Sequence, residues 1–348
     1  MRQFRFSGHV INEESPPFLI AEIGHNHQGS LENCLSLIRA AADSGCDAVK
    51  LQKRDNTSLF TRQMFNEPYK SENSFGDTYG EHRQFLELSQ DEYLKCKIEA
   101  ERLGLVFFAT AFDIPSVDFL YEVGVDLIKI ASGDLKSYYL HQYIADKKIP
   151  MIISTGGASF SEVEDAYKRL ISIGAEFALL QCTAAYPAPP ELLNLRVIQN
   201  YISAFPKTII GYSGHDSGIA MPLLSFGLGA RIIEKHFTLN RTLKGTDHAF
   251  SLEPVGMRKL SRDLKRAHVA LGDGIKVKYP EESKPLRKMS KMIVAKFDLP
   301  DQHVIAVEDI EFRSPAEGLP PSQVNLILGK SLKNFVQKGN PITFEDIN

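Results

Sequence analysis

Eight short apolar runs, each closed by polar or glycine residues and each followed by a segment of helical character, recur along most of the chain. They are Phe18–Glu22, Ala48–Gln52, Leu105–Thr110, Leu127–Ser132, Met151–Thr155, Phe177–Cys182, Thr208–Tyr212 and Ala230–His236. Strand-then-helix alternation predicts parallel strands, because a parallel pair needs a crossover and a helix is the usual one. Eight such units within about 250 residues match the repeat count and size of an α/β fold of the (β/α)8 TIM barrel type. A doubly wound open sheet is the alternative. Two helices announce their ends: Ser161-Glu-Val-Glu164 reads as a capping box with Gly174 beyond the far end, and Gln90–Leu103 is stopped by Gly104.

The barrel pattern ends near residue 275. A charged segment, 276–291, reads as a linker, and residues 292–348 change character to short β-like runs separated by Pro300, Pro315, Pro320-Pro321 and Pro341. That tail predicts a small β-rich domain with little core of its own. Between the second and third runs lies an unusually long polar, aromatic stretch, Phe65–Arg83. Loops of that length in a compact domain are usually functional or disordered.

Composition narrows the partners. A formal charge of -3 gives no general attraction to nucleic acid or an anionic membrane, so any bound anion must be met locally. No stretch approaches the ~20 apolar residues of a membrane span. Four cysteines without a CxxC pair argue against a disulfide framework and a zinc finger. With no apolar signal segment at the start, a cytoplasmic protein is expected.

Barrel chemistry sits at the C-terminal ends of the strands. There the chain places Glu22, Lys50, Gln52, Thr110, Lys129, Ser132, Asp134, Ser154, Thr155, Ser213, His215, Glu234 and His236. Any one of these reads equally well as a solvated strand end. Lys50 and Lys129, however, interrupt apolar strands, where a charge is costly unless paired. Two cations ringed by hydroxyls suit a small substrate carrying phosphate and carboxylate. His215 and His236 end consecutive strands and make a plausible half-open metal site, while His25, His27 and His248 are further candidates.

Taken together, Ala21-Glu-Ile-Gly-His-Asn-His-Gln-Gly29, Lys129-Ile-Ala-Ser-Gly-Asp134, Ser154-Thr-Gly156, Gln181-Cys-Thr-Ala-Ala-Tyr-Pro187, Gly211-Tyr-Ser-Gly-His215, Glu234-Lys-His-Phe237 and Asp247-His-Ala-Phe-Ser-Leu-Glu-Pro254 resemble the sialic acid synthase family. These enzymes condense phosphoenolpyruvate with an N-acylmannosamine and release phosphate by C–O cleavage. The tail resembles the family's antifreeze-like (SAF) domain. The resemblance implies His215 and His236 as ligands of a divalent metal, usually manganese, with magnesium as the other choice. It implies Lys50, Gln52, Thr110, Lys129, Ser132, Ser154 and Thr155 as substrate-binding residues. Glu22, Asp134 and Asp247 become the catalytic acids, with Tyr186 on the acceptor side. It further implies a homodimer in which Arg313 of one tail reaches the acceptor in its partner's barrel.

Three positions depart from the bacterial pattern: Ala184 stands where Asn is usual, Arg313-Ser-Pro-Ala-Glu-Gly318 replaces Arg-Pro-Gly-x-Gly, and Pro68–Arg83 looks more like the animal enzymes, which take a 6-phosphorylated sugar. The competing readings are that 9-phosphate-forming activity, another phosphoenolpyruvate-dependent keto-sugar-acid synthase, and a non-catalytic glycan-binding module.

Overall fold

The computed structural model of the protein describes residues 2–348 and divides into two compact units, the first ending at Gly272 and the second spanning Asp273–Asn348. The first begins with a hairpin, β1 (Gln3–Phe6) and β2 (His9–Asn12), followed by eight parallel strands. These are β3 (Phe18–Gly24), β4 (Ala48–Lys53), β5 (Val106–Ala111), β6 (Ile128–Ile130), β7 (Met151–Ser154), β8 (Phe177–Cys182), β9 (Ile209–Gly214) and β10 (Ile232–His236). They close in the order β10-β3-β4-β5-β6-β7-β8-β9, so the barrel is realised and the open sheet is not.

Side chains alternate across a strand, so each strand feeds two cores. One series, including Leu19, Ala21, Val49, Leu51, Phe107, Ile153, Leu179 and Ile233, meets the surrounding helices. The other, including Ile20, Ala48, Phe108, Leu127, Ile152, Ala178, Leu180, Ile209 and Ile232, fills the barrel. Continuing that second series toward the C-terminal ends gives Glu22, Lys50, Thr110, Lys129, Ser154, Ser213, Glu234 and His236: apolar at the floor, polar at the mouth. Gly211 belongs to the same series, where a Cβ would meet the Leu180 side chain at 2.3 Å and the Ile232 carbonyl at 2.5 Å.

The hairpin was not legible as an element beforehand. It turns through Ser7 and Gly8, both with positive φ, and buries Phe4, Phe6 and Ile11 in the barrel-interior cluster beside Phe18. Its only signal is the alternation of Phe4 and Phe6 with Gln3 and Arg5 before a Ser-Gly turn.

Some boundaries differ from expectation. β6 stops at Ile130 because the chain turns into a 3-10 segment, Ser132–Asp134, which lets Ser132 Oγ accept from Gly156 N at 2.9 Å. The helix Phe160–Ser172 starts two residues early: Ser159 and Glu162 form its capping box, not Ser161 and Glu164. Both serines stand three residues before an acid, and the earlier start stacks Phe160 on Phe205 with centroids 5.8 Å apart. The long stretch after β4 is not loose, for it carries the short helices Asn56–Leu59, Arg62–Phe65 and Tyr79–Phe85.

The second unit pairs β11 (Met292–Ala295) antiparallel with β12 (Ile310–Arg313). Its other expected strands meet only at isolated bridges, such as Val304 with Ser331 and Leu299 with Val336. It nevertheless has its own core of ten buried residues, among them Ile293, Leu299, Ile305, Ile327, Leu332 and Ile342, more than its length promised. Within 276–291 the chain forms a helix, Ser283–Met289. Among the described residues no helix is long and apolar enough to cross a membrane.

Candidate active site

A cavity of about 560 Å³ opens at the C-terminal mouth of the barrel, a size suited to small-molecule substrates. Glu22, Lys50, Gln52, Thr110, Lys129, Ser132, Ser154, Tyr186, His215, His236 and Asp247 all line it, together with Glu234 and Ser213. Residues from seven strands therefore converge as the polar ends of inward-facing series, and Ser132, Tyr186, His215 and Asp247 join them from the segments that follow strands.

The two lysines differ in their partners. Lys50 Nζ lies 2.7 Å from Glu22 Oε2, 2.8 Å from Thr110 Oγ1 and 3.9 Å from Glu234 Oε1. Lys129 Nζ donates to Ser154 Oγ at 2.6 Å and to the Ile130 carbonyl at 2.9 Å, both neutral. Burial lowers the Lys129 ammonium from its ordinary value, with Glu234 opposing. A buried cation on neutral partners is one whose charge is left for a ligand.

Glu22 is 1% exposed and also accepts from Gln52 Nε2 at 2.7 Å. Burial raises its carboxyl to about 7, against the pull of Lys50, with the Glu234 charge adding to the rise. Glu234 goes the other way: burial pushes it up, but Lys50 and then Lys129 hold it below the usual carboxylate value. Two neighbouring carboxyls with different proton affinities form the pattern of an acid–base site.

Across the mouth the imidazoles of His215 and His236 have centroids 5.4 Å apart. His215 Nδ1 is 2.8 Å from the Thr183 carbonyl. A carbonyl only accepts, so Nδ1 carries the proton and Nε2 keeps a lone pair. His236 is 5% exposed, its Nδ1 has no hydrogen-bond partner and lies 3.6 Å from Asp247 Oδ2, and burial lowers it to about 4. Two imidazoles beside a carboxylate fit a divalent cation. Among the described residues no group of three or more His, Cys, Asp or Glu side chains is arranged to hold a metal. The two imidazoles therefore stand as a pair, with no third such side chain among those residues placed to complete a metal cluster. Phe250 walls it, with its ring edge-on to His236 at 4.9 Å.

Other expected residues stand elsewhere. Thr155 turns its hydroxyl from the cavity to donate to the Leu180 carbonyl at 3.0 Å and to receive from Tyr201 at 3.2 Å. Asp134 sits on the 3-10 turn outside the lining, where Oδ1 accepts from Ser137 at 2.8 Å. Arg313 belongs to the second unit, on β12, and pairs with Glu311. His27 Nδ1 accepts from Gly29 N at 3.1 Å and His248 Nδ1 meets Thr238 Oγ1 at 2.7 Å, both structural bonds. Lining residues missed by sequence reading are Arg54, Asn73, Arg83 and Thr246. Arg54 had a signal, since it continues the spacing of Ala48, Lys50 and Gln52. Asn73 and Arg83 lie in the long segment, where no periodicity helps.

A closed parallel barrel with buried lysines, paired carboxyls and an imidazole half-site at its mouth defines a class: barrel enzymes that act on small anionic substrates. Residues 37–276 match the NeuB family and residues 290–348 the SAF domain, and the chain belongs to the NeuB family. It is 38% identical to human N-acetylneuraminate-9-phosphate synthase, over 97% of this chain and 94% of that protein. It is 35% identical to the N,N'-diacetyllegionaminic acid synthase of Legionella pneumophila, over 95% and 94% of the two chains. A solved sialic acid synthetase from Leptospira borgpetersenii, in complex with citrate, superposes with a TM-score of 0.71 at 33% identity, covering 82% of this chain and 96% of that one.

Proposed function

We propose that the barrel condenses phosphoenolpyruvate with an N-acylmannosamine-type sugar to a nonulosonic acid, forming a C–C bond and releasing phosphate by C–O cleavage. The observation that carries this reading is the Lys129 ammonium, buried on neutral partners and facing the imidazole half-site across one cavity. Lys50 and Lys129, with the Thr110, Ser132 and Ser154 hydroxyls, hold the anion by charge-assisted bonds. His215 and His236 would hold a divalent cation, manganese by resemblance, which supplies Lewis acidity to the acceptor carbonyl.

Carbon 3 of phosphoenolpyruvate attacks that carbonyl carbon, and positive charge develops at carbon 2. Glu22, as carboxylate, takes the proton of the water that adds there and passes it to the acceptor's former carbonyl oxygen, which becomes a hydroxyl; the hydroxyl added at carbon 2 then collapses to the ketone, its proton leaving with the phosphate as the C–O bond breaks. Asp247, its Oδ1 bonded to Thr246 at 2.8 Å, orients an acceptor hydroxyl, and Tyr186 covers it. Arg313 acts on the acceptor of a partner subunit in a homodimer. The reaction runs in the cytoplasm, where the four free cysteines stay reduced.

The test is phosphate release from phosphoenolpyruvate with manganese over a panel of mannosamine derivatives. Activity is expected with at least one, and lost in excess chelator and in His215→Ala and His236→Ala. Full activity in chelator removes the half-site from the reaction, and no release with any acceptor removes the reading itself.

A further inference from the structure

Two arginines that the condensation leaves unused line the same cavity. Arg54 follows β4, on the inward series that begins with Lys50. Arg83 comes from the helix Tyr79–Phe85 in the long segment. The His25 ring lies between them, with Nε2 3.2 Å from Arg54 Nη1 and Nδ1 3.4 Å from Arg83 Nη1. A neutral imidazole has one lone pair and one N–H, so it accepts from only one of the two guanidiniums. The other points its N–H at an N–H. A protonated ring would accept from neither, and burial, then Arg54, then Arg83 hold His25 well below its ordinary value.

The charge balance is equally incomplete. Among the described residues neither guanidinium forms a salt bridge, and the neighbouring acids are engaged elsewhere: Glu87 pairs with Lys53 at 2.6 Å, and Asp247 faces His236 and Thr246. What remains is neutral. Arg54 Nη2 donates to Gln52 Oε1 at 2.8 Å and its guanidinium lies 3.7 Å over the Phe112 ring, while Arg83 Nε donates to Tyr79 OH at 3.0 Å. Arg54 is 8% exposed. Two permanent cations at one cavity wall, one nearly buried and neither neutralised, are stabilised by an anion.

That anion is separate from the one the lysines hold: Arg54 and Arg83 bond to His25, Gln52 and Tyr79, Lys50 and Lys129 to Glu22, Thr110, Ser154 and the Ile130 carbonyl, and the two pairs of cations share no direct partner. We propose that Arg54 and Arg83, aligned through His25, form a second anion subsite, which takes a phosphate monoester on the acceptor sugar at the end away from its aldehyde. Arginine forks suit the planar, bidentate grip of a phosphate better than lysine ammoniums do. The subsite rests on the condensation proposed above and selects among its acceptors.

The test compares N-acetylmannosamine with its 6-phosphate in wild type, Arg83→Gln and Arg83→Lys. Arg83 is chosen because Arg54 packs on Phe112 and its removal threatens the fold. Wild type is expected to favour the phosphorylated acceptor by at least about tenfold in kcat/KM, and Arg83→Gln to reduce that ratio by about tenfold or more. Arg83→Lys is expected to fall between, keeping charge without the fork. A wild-type ratio near one, or the same ratio in all three proteins, overturns the subsite.

Calorimetric titration of the 6-phosphate sugar into protein without phosphoenolpyruvate separates this outcome from failure of the condensation. Tighter binding to wild type than to Arg83→Gln supports the subsite even if no product forms, and equal binding overturns it. Inorganic phosphate is the remaining arm. If it binds in an Arg83-dependent way but the two sugars bind alike, the site takes free phosphate and the acceptor assignment is overturned.

Discussion

Lys50 and Lys129 have the same side chain in opposite settings, and their replacements should behave differently. Charge-assisted bonds contribute about 1.5 to 3 kcal/mol, so Lys129→Met is expected to weaken phosphoenolpyruvate binding by roughly tenfold or more. Its hydrogen-bond partners are neutral and Lys50 still stands beside Glu234, so its loss leaves no carboxylate without a cation, and the melting temperature should change little. Lys50→Met should weaken binding too, but it leaves Glu22 and Glu234 buried without their shared cation, at a stability cost of about 3 to 5 kcal/mol. Equal phosphoenolpyruvate affinity in wild type and both variants would move the anion site elsewhere. Glu22 carries the pH dependence. Its carboxyl is raised to about 7, and only the carboxylate accepts a proton, so turnover should climb as pH rises through about 7. In Glu22→Gln that acid limb should vanish and kcat fall by about a hundredfold or more, whereas an unchanged limb would assign it to another group. The linked stability effect has the opposite sense. Between 4.5 and about 7 the folded chain binds this proton more tightly than the unfolded chain, so the Glu22 contribution to stability declines as pH rises across that window.

At the level of elements, the N-terminal hairpin and the strand ends divide the labour. Phe4 is fully buried in the barrel-interior cluster, in the half opposite to the polar mouth. Phe4→Ala is expected to cost about 3 to 5 kcal/mol, a melting point lower by about 10 °C, with KM for phosphoenolpyruvate unmoved. Thermal unfolding and steady-state kinetics on one preparation check both halves, and a raised KM would mean that the hairpin communicates with the site. The barrel strands were legible because parallel strands buried on both faces leave unbroken apolar runs. The hairpin was not, because four-residue strands packing two phenylalanines look like any short amphipathic stretch. The capping box of Phe160–Ser172 was misplaced by two residues for a similar reason: local chemistry satisfied the pattern twice, and the packing of Phe160 on Phe205 decided between them.

For the whole molecule, the open matter is the tail. Its ten-residue core makes it a unit in its own right, and Arg313 lies on its β12 strand with an exposed side chain. If Arg313 completes a partner's site, mixing inactive His236→Ala with inactive Arg313→Ala should recover about a quarter of wild-type activity, the random-mixing share of sites with both residues intact. No recovery despite subunit exchange, or an active monomer in sedimentation, would leave the tail as a cap only.

Periodicity along the chain is enough to yield the barrel and the floor-to-mouth gradient inside it. A strand's period of two makes Lys50, Lys129, Glu234 and His236 inward-facing once the strands are recognised, whatever their neighbours. The family is legible too, because those residues sit in continuous motifs. The tertiary structure alone decided which carboxyl pairs with Lys50, that Thr155 and Asp134 turn away from the cavity, and that Arg83 meets Arg54 across His25. Apart from the local bond of Asp134 to Ser137, these depend on distances between segments that are 25 to 60 residues apart in the chain. Periodicity carries information along one strand, whereas pairing, burial and the proton affinities that follow are set by which strands and loops the closed barrel brings together.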